Sequence, residues 1–275
     1  MPQKTIVITG ASDGIGLEAA SQLAGRGHHL VLIGRNREKT AAALERVRRD
    51  DPSATSYLVD MGDLANVREL AGALTADLPD IDVLCNNAGT VFAKRELTSD
   101  GFEATFAVNH LGPFLLTELV RERLAGDGRV VNTASVGHYR GTMDFDDLGF
   151  ERGYQIMRAY GRSKLANVLY TRELARQFTG TEMTANALHP GAVATNIWSG
   201  APAIAKPVLA IAKRFMVTPA DGGARIAYLA DSPEVVGKSG GYYEQDRLKK
   251  PSAVALDDAV ANRLYVESRR MVGLA

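Results

Sequence analysis

Tyr160 and Lys164, in Ala159-Tyr160-Gly161-Arg162-Ser163-Lys164-Leu165-Ala166-Asn167, stand four residues apart. On a helix that spacing puts a phenol and an ammonium on one face, one turn apart. An ordinary tyrosine titrates near 10, too high to exchange protons readily at neutral pH. A close, poorly solvated positive charge favours the phenolate, and bringing the phenol to about 7 takes ~4 kcal/mol. The pair is therefore a candidate proton donor and acceptor. Val168, Leu174, Ala175 and Phe178 continue its face at helical spacing, while Arg162, Arg172, Glu173 and Arg176 gather on the other side. The expectation is a helix that buries Tyr160 and Lys164 and exposes those charges. Such a pair alone is more often a surface contact, so the elements that must position it decide the matter.

The first of these is a strand, Thr5-Ile6-Val7-Ile8-Thr9, short, branched and nearly all apolar, as a strand buried on both faces is. Gly10-Ala11-Ser12-Asp13-Gly14-Ile15-Gly16 follows, and then a helical pattern from Leu17 to Gly25. A glycine-rich turn between strand and helix suits a phosphate: the backbone approaches closely, and the helix N-terminus offers N–H groups and a positive dipole end. The spacing is GxxxGxG, and its place on a first strand–turn–helix favours dinucleotide binding over a mere tight turn. His29 to Gly34 completes a βαβ unit that ends in Arg35-Asn36-Arg37 rather than in a carboxylate. A carboxylate there would hold a ribose 2′-hydroxyl, whereas arginine binds a 2′-phosphate through two hydrogen bonds. NADP(H) is thus expected over NAD(H), although Asp13 in the glycine turn does not help a phosphate.

Further strands are expected at 56–59, 81–85, 128–133, 183–188 and 241–243, making seven. Helices are expected at 38–50, 64–78 (capped by Asp63), 100–123, 218–230 and 257–270. Asn86-Asn87-Ala88-Gly89 and Ser135 fall at strand C-terminal ends, where open α/β sheets bind ligands. Asn109 lies within a helical segment, where asparagine usually faces solvent or competes with the backbone. His110, His189 and Cys85 read as structural, and Asp144-Phe145-Asp146-Asp147 reads as a solvated loop without EF-hand spacing. No G-x-S-x-G elbow accompanies Ser135, which disfavours a nucleophilic serine.

The chain has 275 residues, with 32 basic and 32 acidic side chains, and this balance gives no field for nucleic acid or an anionic membrane. One cysteine excludes an internal disulfide, and no apolar run is long enough to span a bilayer, so a cytoplasmic protein without a transmembrane segment is expected. The composition and the absence of linker-like boundaries fit one domain over residues 1–275. The apolar stretch 196–217, with Trp198 and Phe215, reads as a lid or substrate-pocket wall.

Taken in order, the chain resembles the short-chain dehydrogenase/reductase family over nearly its full length. The resemblance rests on Thr9-Gly10-(Ala11-Ser12-Asp13)-Gly14-Ile15-Gly16, Asp60, Asn86 to Gly89, Asn109, Ser135, Tyr160-x-x-x-Lys164 and Pro190-Gly191 with Val193 and Thr195. Asp100 to Glu103, Val108 to Gly112, Phe145 to Leu148, Asn186 to Gly191 and Tyr242, Tyr243 and Tyr265 are similar to the retinol-dehydrogenase-type branch, whose eukaryotic members usually carry an N-terminal membrane anchor. The resemblance implies a Rossmann α/β fold, a parallel sheet with helices on both faces. It implies Tyr160 as general acid and base, Lys164 lowering its pKa and binding the nicotinamide ribose, Ser135 on the substrate carbonyl and Asn109 holding a water in a relay to Lys164. It implies cofactor contacts at Gly10, Ser12, Asp13, Gly14, Ile15, Gly16, Arg35, Asn36, Asp60, Met61, Asn87, Ala88, Gly89, Tyr160, Lys164, Pro190, Gly191, Val193 and Thr195. No metal is required, because the cofactor supplies the hydride chemistry.

The expectation is an NADP(H)-dependent oxidoreductase acting on a hydrophobic aldehyde, ketone or alcohol, retinoid-like, lipid-derived or polyketide in kind. An NAD-dependent alcohol dehydrogenase and a cofactor-sensing regulator without turnover are the alternatives; a regulator of this kind often loses part of the Ser/Tyr/Lys set. A nucleotide-sugar epimerase or dehydratase is disfavoured by the glycine spacing and the short C-terminal region. Leu165 and Leu169, amid the charged side of the Tyr160 helix, suggest a homodimer or homotetramer contact.

Overall fold

The structure, a computed structural model, describes residues 3–191 and 217–274. Branched apolar runs form the strands β1 (Thr5–Thr9), β2 (His29–Gly34) and β4 (Ile81–Asn86) and the C-terminal half of β5 (Leu124–Thr133), whereas β3 (Thr55–Leu58), β6 (Thr184–His189) and β7 (Tyr242–Glu244) are poorer in branched residues. An eighth strand, β8 (Arg247–Lys249), is exposed and highly charged, a composition that hid it in the sequence. The described sheet therefore has eight strands rather than the expected seven. Its order is β3-β2-β1-β4-β5-β6-β7-β8, parallel except for the antiparallel β7–β8 hairpin. The chain turns from β1 out to β3 and returns across to β4, so the switch in direction lies between β1 and β4, where α/β sheets open a crevice.

Seven helices of at least nine residues flank the sheet among the described residues: α1 (Gly14–Ala24), α2 (Arg37–Val47), α3 (Leu64–Asp77), α4 (Gly112–Val120), α5 (Ile156–Gln177), α6 (Pro219–Asp231) and α7 (Asp258–Met271). Asp13, Asn36, Asp63, Thr218 and Asp257 cap α1, α2, α3, α6 and α7 with side-chain oxygens on first-turn N–H groups. Strand residues alternate between two cores. Val7, Val31 and Ile33 face α3, α4, α5 and α7, whereas Ile6, Ile8, Leu30 and Leu32 face α1, α2 and α6. Both faces are thus covered, as a parallel sheet requires.

Helix α5 departs from its expected two-sidedness. Arg162 and Glu173 are buried, and Leu165 and Leu169 are wholly so. The Arg162 guanidinium lies 3.7 Å from the Phe150 ring centre and donates to the Thr142, Asp147 and Leu148 carbonyls. Leu165 and Leu169 share a core with Ala255, Ala261 and Leu264 of the C-terminal segment, and Arg172 pairs with Asp258 at 2.8 Å. The chain's own α7 covers the face on which a subunit contact was expected. Nothing in the composition of α5 shows that another helix crosses it.

The helical segment before α4 begins at Ala104, not at Asp100. It runs as one α-turn (Ala104–Phe106) and a π-helical turn (Ala107–Leu111) into α4. The wider turn carries Asn109 and His110, both buried.

Candidate active site

The C-terminal ends of the parallel strands gather the chemistry-bearing residues onto one edge: Gly10 after β1, Arg35 after β2, Asn87 to Gly89 after β4, Ser135 after β5 and Pro190 after β6. Helix α5 adds Tyr160 and Lys164 near its N-terminal end.

Ser135 caps the 3₁₀ turn Val136–Arg140, and its hydroxyl oxygen accepts from the Gly137 N–H at 3.1 Å. Gly137 lies against the Tyr160 ring, where a Cβ would stand 3.2 Å from Cε1. Burial pushes the Tyr160 phenol above its usual value near 10, and a hydrogen bond with Ser135 opposes that rise. The net shift of this phenol is therefore upward, with burial its largest cause. Lys164 is buried, its Nζ donates to the Thr133 carbonyl at 2.9 Å and lies 5.8 Å from the Tyr160 ring centre. Burial lowers Lys164 itself to about 8. Desolvation is the largest cause of both shifts.

Asn109 does not face solvent. Its Oδ1 accepts from the Thr90 N–H at 2.7 Å, and its Nδ2 donates to the Thr90 carbonyl and to Ser163 Oγ at 3.0 and 2.9 Å. It pins the chain just after Gly89, where a Cβ would come within 3.3 Å of Lys164 Nζ and 3.4 Å of Asn109 Oδ1. Asn109, Gly89 and Lys164 thus pack as one unit.

The glycine turn is equally tied. Gly10 and Gly14 adopt left-handed conformations, with φ of 67° and 56°, which glycine reaches without strain. A Cβ on Gly16 would overlap the Gly10 carbonyl oxygen. The Asn87 side chain donates to the Thr9 and Gly10 carbonyls, at 3.0 and 3.4 Å, so it closes the turn. Asp13 Oδ1 accepts from Gly14 N–H, and its Oδ2 pairs with Lys39 at 2.7 Å. Asn36 caps α2, accepting from the Lys39 N–H at 2.9 Å. Arg35, largely exposed, lies 3.7 Å from Asp60, whose other oxygen accepts from the Gly62 N–H. Met61 is buried, and its carbonyl sits where a Cβ on Gly112 would go. Gly191 has φ of 97°, and the Arg225 guanidinium donates to the Pro190 carbonyl at 2.6 Å. Val193, Thr195 and all of the 196–217 segment except Val217 lie outside the described residues.

The model of the short chain dehydrogenase family matches residues 4–203. The chain belongs to that family. It is 37% identical over 284 residues to retinol dehydrogenase 13 of Homo sapiens, across 100% of this chain and 86% of that protein. The structure of an uncharacterized protein from Mycobacterium paratuberculosis superposes with a TM-score of 0.79 at 33% identity, covering 98% of this chain and 94% of the other. A short chain dehydrogenase from Burkholderia cenocepacia, solved in complex with NADP, superposes with a TM-score of 0.71 at 26% identity over 88% and 95% of the two chains. The retinol-dehydrogenase-type resemblance thus holds along the whole length, and the family makes this chain an oxidoreductase.

The edge has the donors that a dinucleotide needs. The first turn of α1, below two left-handed glycines, presents N–H groups without intrahelical partners. Arg35 stands exposed at the end of β2. Sequence reading missed the residues that hold these parts in place. Thr9 Oγ1 accepts from the Asn87 and Ala88 N–H groups, at 2.9 and 3.0 Å. The Thr133 carbonyl takes Lys164 and Asn167, and Ser163 takes Asn109. Each carries an ordinary hydroxyl or peptide group, so its only signal is adjacency to a recognised motif. Of the residues read as structural, His110, Cys85, Asp144 and Asp147 sit in such surroundings. His110 Nε2 bonds Ser268 Oγ at 2.9 Å, burial raises Cys85 to about 12, and Asp144 and Asp147 accept loop N–H groups.

Proposed function

We propose that the protein is an NADP(H)-dependent oxidoreductase that interconverts a hydrophobic aldehyde or ketone with its alcohol, using Tyr160 as the general acid and base. The observation that carries this reading is the hydrogen-bonded approach of Ser135 to Tyr160 beside a buried Lys164, on the sheet edge that also carries the glycine turn.

When bound, the nicotinamide supplies a hydride to the carbonyl carbon or takes one from the alcohol. The glycine turn and α1 N-terminus would hold its diphosphate, Arg35 the adenosine 2′-phosphate, and Pro190 and Gly191 the nicotinamide end. The protein's own task is the oxygen. Ser135 donates a hydrogen bond to it and so stabilises the negative charge that develops there. Tyr160 Oη delivers its proton to the same oxygen in reduction and accepts it in oxidation. Because burial keeps the phenol protonated at neutral pH, the site is set for reduction there, and oxidation is favoured as pH rises. Lys164, anchored on Thr133, holds positive charge beside the ring and favours the phenolate that the delivered proton leaves behind.

Three apolar side chains support a hydrophobic substrate. Val136, Tyr139 and Met157 are 44%, 45% and 54% exposed on the two segments that carry Ser135 and Tyr160. The name of the human relative, a retinol dehydrogenase, fits an apolar substrate of that kind. The test is nicotinamide absorbance with NADPH or NADH and a panel of hydrophobic aldehydes and ketones that includes retinal. Wild-type turnover with NADPH is expected, and Tyr160→Phe should lose it while still binding NADPH. Turnover retained by Tyr160→Phe removes the assigned role.

A further inference from the structure

Behind Ser135 lies a buried histidine that no motif draws attention to. His138 has no exposed surface and belongs to the 3₁₀ turn that Ser135 caps. Its Nδ1 lies 2.7 Å from the Ser135 carbonyl oxygen, which also accepts the His138 backbone N–H at 3.0 Å. Its Nε2 accepts the Ser252 backbone N–H at 3.2 Å. A peptide N–H can only donate, so Nε2 must offer a lone pair and Nδ1 must carry the proton. The neutral Nδ1–H tautomer is therefore assigned from both partners at once.

The ring is held from two sides. It lies 4.1 Å, centre to centre, from Tyr139 and 4.6 Å from Tyr242 of β7. The Tyr242 hydroxyl donates to Glu244 at 3.0 Å, and the Tyr139 hydroxyl to the Lys250 carbonyl at 2.9 Å. Ser252 and Lys250 both belong to the strap that follows β8. The turn that ends β5 is thus tied to the far edge of the sheet by the His138 imidazole and the Tyr139 hydroxyl, and of the two only the imidazole also holds Ser135.

We propose that His138 is a positioning residue for the reaction: by clamping the Ser135 carbonyl to the Lys250–Ser252 strap, it sets where the Ser135 hydroxyl points relative to Tyr160. The inference rests on the roles given above to Ser135 and Tyr160. Three hydrogen bonds tie Ser135 to the turn: the Gly137 N–H on its hydroxyl, and the His138 backbone N–H and Nδ1–H on its carbonyl. Removing the imidazole bond leaves the Ser135 carbonyl with the His138 backbone N–H alone and loosens the turn on which the hydroxyl is mounted. A displacement of about 1 Å at a reacting group can cost about 100-fold in rate.

Two variants separate this role from packing. His138→Phe keeps a ring against Tyr139 and Tyr242 but makes neither hydrogen bond. His138→Asn restores a donor at the Nδ1 position, facing the Ser135 carbonyl, but not the stacking. The expectation for His138→Phe is a kcat for carbonyl reduction at least ~10-fold lower, with NADPH binding, read by nicotinamide fluorescence, unchanged. Asn should recover most of that loss. The limb of the oxidation pH profile governed by Tyr160 should move to higher pH in His138→Phe, because the Ser135 hydrogen bond that favours the phenolate is loosened. The charged and titratable groups facing this region and Tyr160 are Glu244 and Tyr242 of β7, Tyr139 of the same turn, His189 of β6, Lys164 of α5 and Arg225 of α6, all untouched by the change. Wild-type kcat and pH profile in His138→Phe overturn the proposal while leaving the Tyr160 reading intact. Turnover by Tyr160→Phe overturns that reading instead. If Phe and Asn lose cofactor binding and thermal stability alike, the ring is packing only. Should His138→Phe not fold, imidazole ¹⁵N NMR of the wild-type protein decides: a neutral Nδ1–H ring at neutral pH is expected, and an Nε2–H or protonated ring overturns the assignment.

Discussion

Lys164 donates its buried ammonium proton to the carbonyl of Thr133, the last residue of β5 and two residues before Ser135, at 2.9 Å. This hydrogen bond, with that of Asn167 to the same carbonyl, ties α5 to the strand that delivers the candidate oxyanion donor. The lysine is anchored by the backbone rather than by a carboxylate, which leaves its charge unneutralised near the Tyr160 ring.

Replacing that lysine should therefore cost rate in two ways. Lys164→Met removes the charge, and kcat should fall by ~10²- to 10⁴-fold, the range for losing support of a general acid or base. Lys164→Arg keeps the charge but must fit a planar guanidinium beside Gly89, where even a Cβ would come within 3.3 Å of Nζ. Both variants should be nearly inactive in steady-state assays. An arginine variant within ten-fold of wild type would show that charge alone, without the Thr133 anchor, is sufficient.

Most of this edge was legible in the residues. Branched apolar strands, the glycine turn and the Tyr160–Lys164 spacing locate the sheet and its reactive end, because each is a local pattern and their order along the chain favours one reading of them together. What was not legible depends on distant chain. The burial of Leu165 and Leu169 requires α7 to lie across α5, and nothing within α5 records it. The strand β8 is short, exposed and basic, so it lacks the apolar signal and exists through its pairing with β7. The direction of the Tyr160 shift also depends on depth: spacing shows that a cation is near, but not how far burial raises the phenol. Asn109 was found by motif and misjudged by helix rule, because a π-helical turn carries it inward.

Asn109 is the fastening of the Gly89 loop. Asn109→Ala leaves the half-buried Thr90 N–H without its acceptor, a loss of about 1 kcal/mol. The melting temperature should fall by several degrees, and NADPH should bind more weakly as the loop beside Lys164 loosens. Asn109→Asp keeps the acceptor but loses both donated bonds, to Thr90 and Ser163, so it should not rescue. Differential scanning calorimetry with and without NADPH measures both effects. An alanine variant with wild-type stability and affinity would mean that the clamp is idle.

Arg35 should decide between the two nicotinamide cofactors. Its guanidinium is 68% exposed and lies 3.7 Å from Asp60, an exposed pair whose own attraction is weak. It is free to turn towards a 2′-phosphate, and Arg35→Ala should raise the KM for NADPH by about ten-fold or more while leaving that for NADH within about three-fold. A parallel change in both would place the 2′-phosphate elsewhere, with Lys39 next in reach of the glycine turn through Asp13.

His110 should make the fold acid-sensitive. The ring is buried among Phe106, Phe114 and Tyr170 and bonded to Ser268, and burial lowers its pKa to about 3. In the unfolded chain the same ring takes a proton below about 6.5. Between these values the unfolded state binds more protons than the native state, so this contribution to stability is full above 6.5 and falls with falling pH. At pH 5 the loss from this residue alone is ~2 kcal/mol. His110→Gln can keep a polar contact with Ser268 but does not titrate. Urea unfolding at pH 7 and pH 5 should therefore show the wild type losing ~2 kcal/mol more than the variant, because His189 and Asp231, also shifted downwards, are common to both chains and cancel. If the two chains weaken equally, His110 does not stay neutral in the native state and the burial argument for it fails.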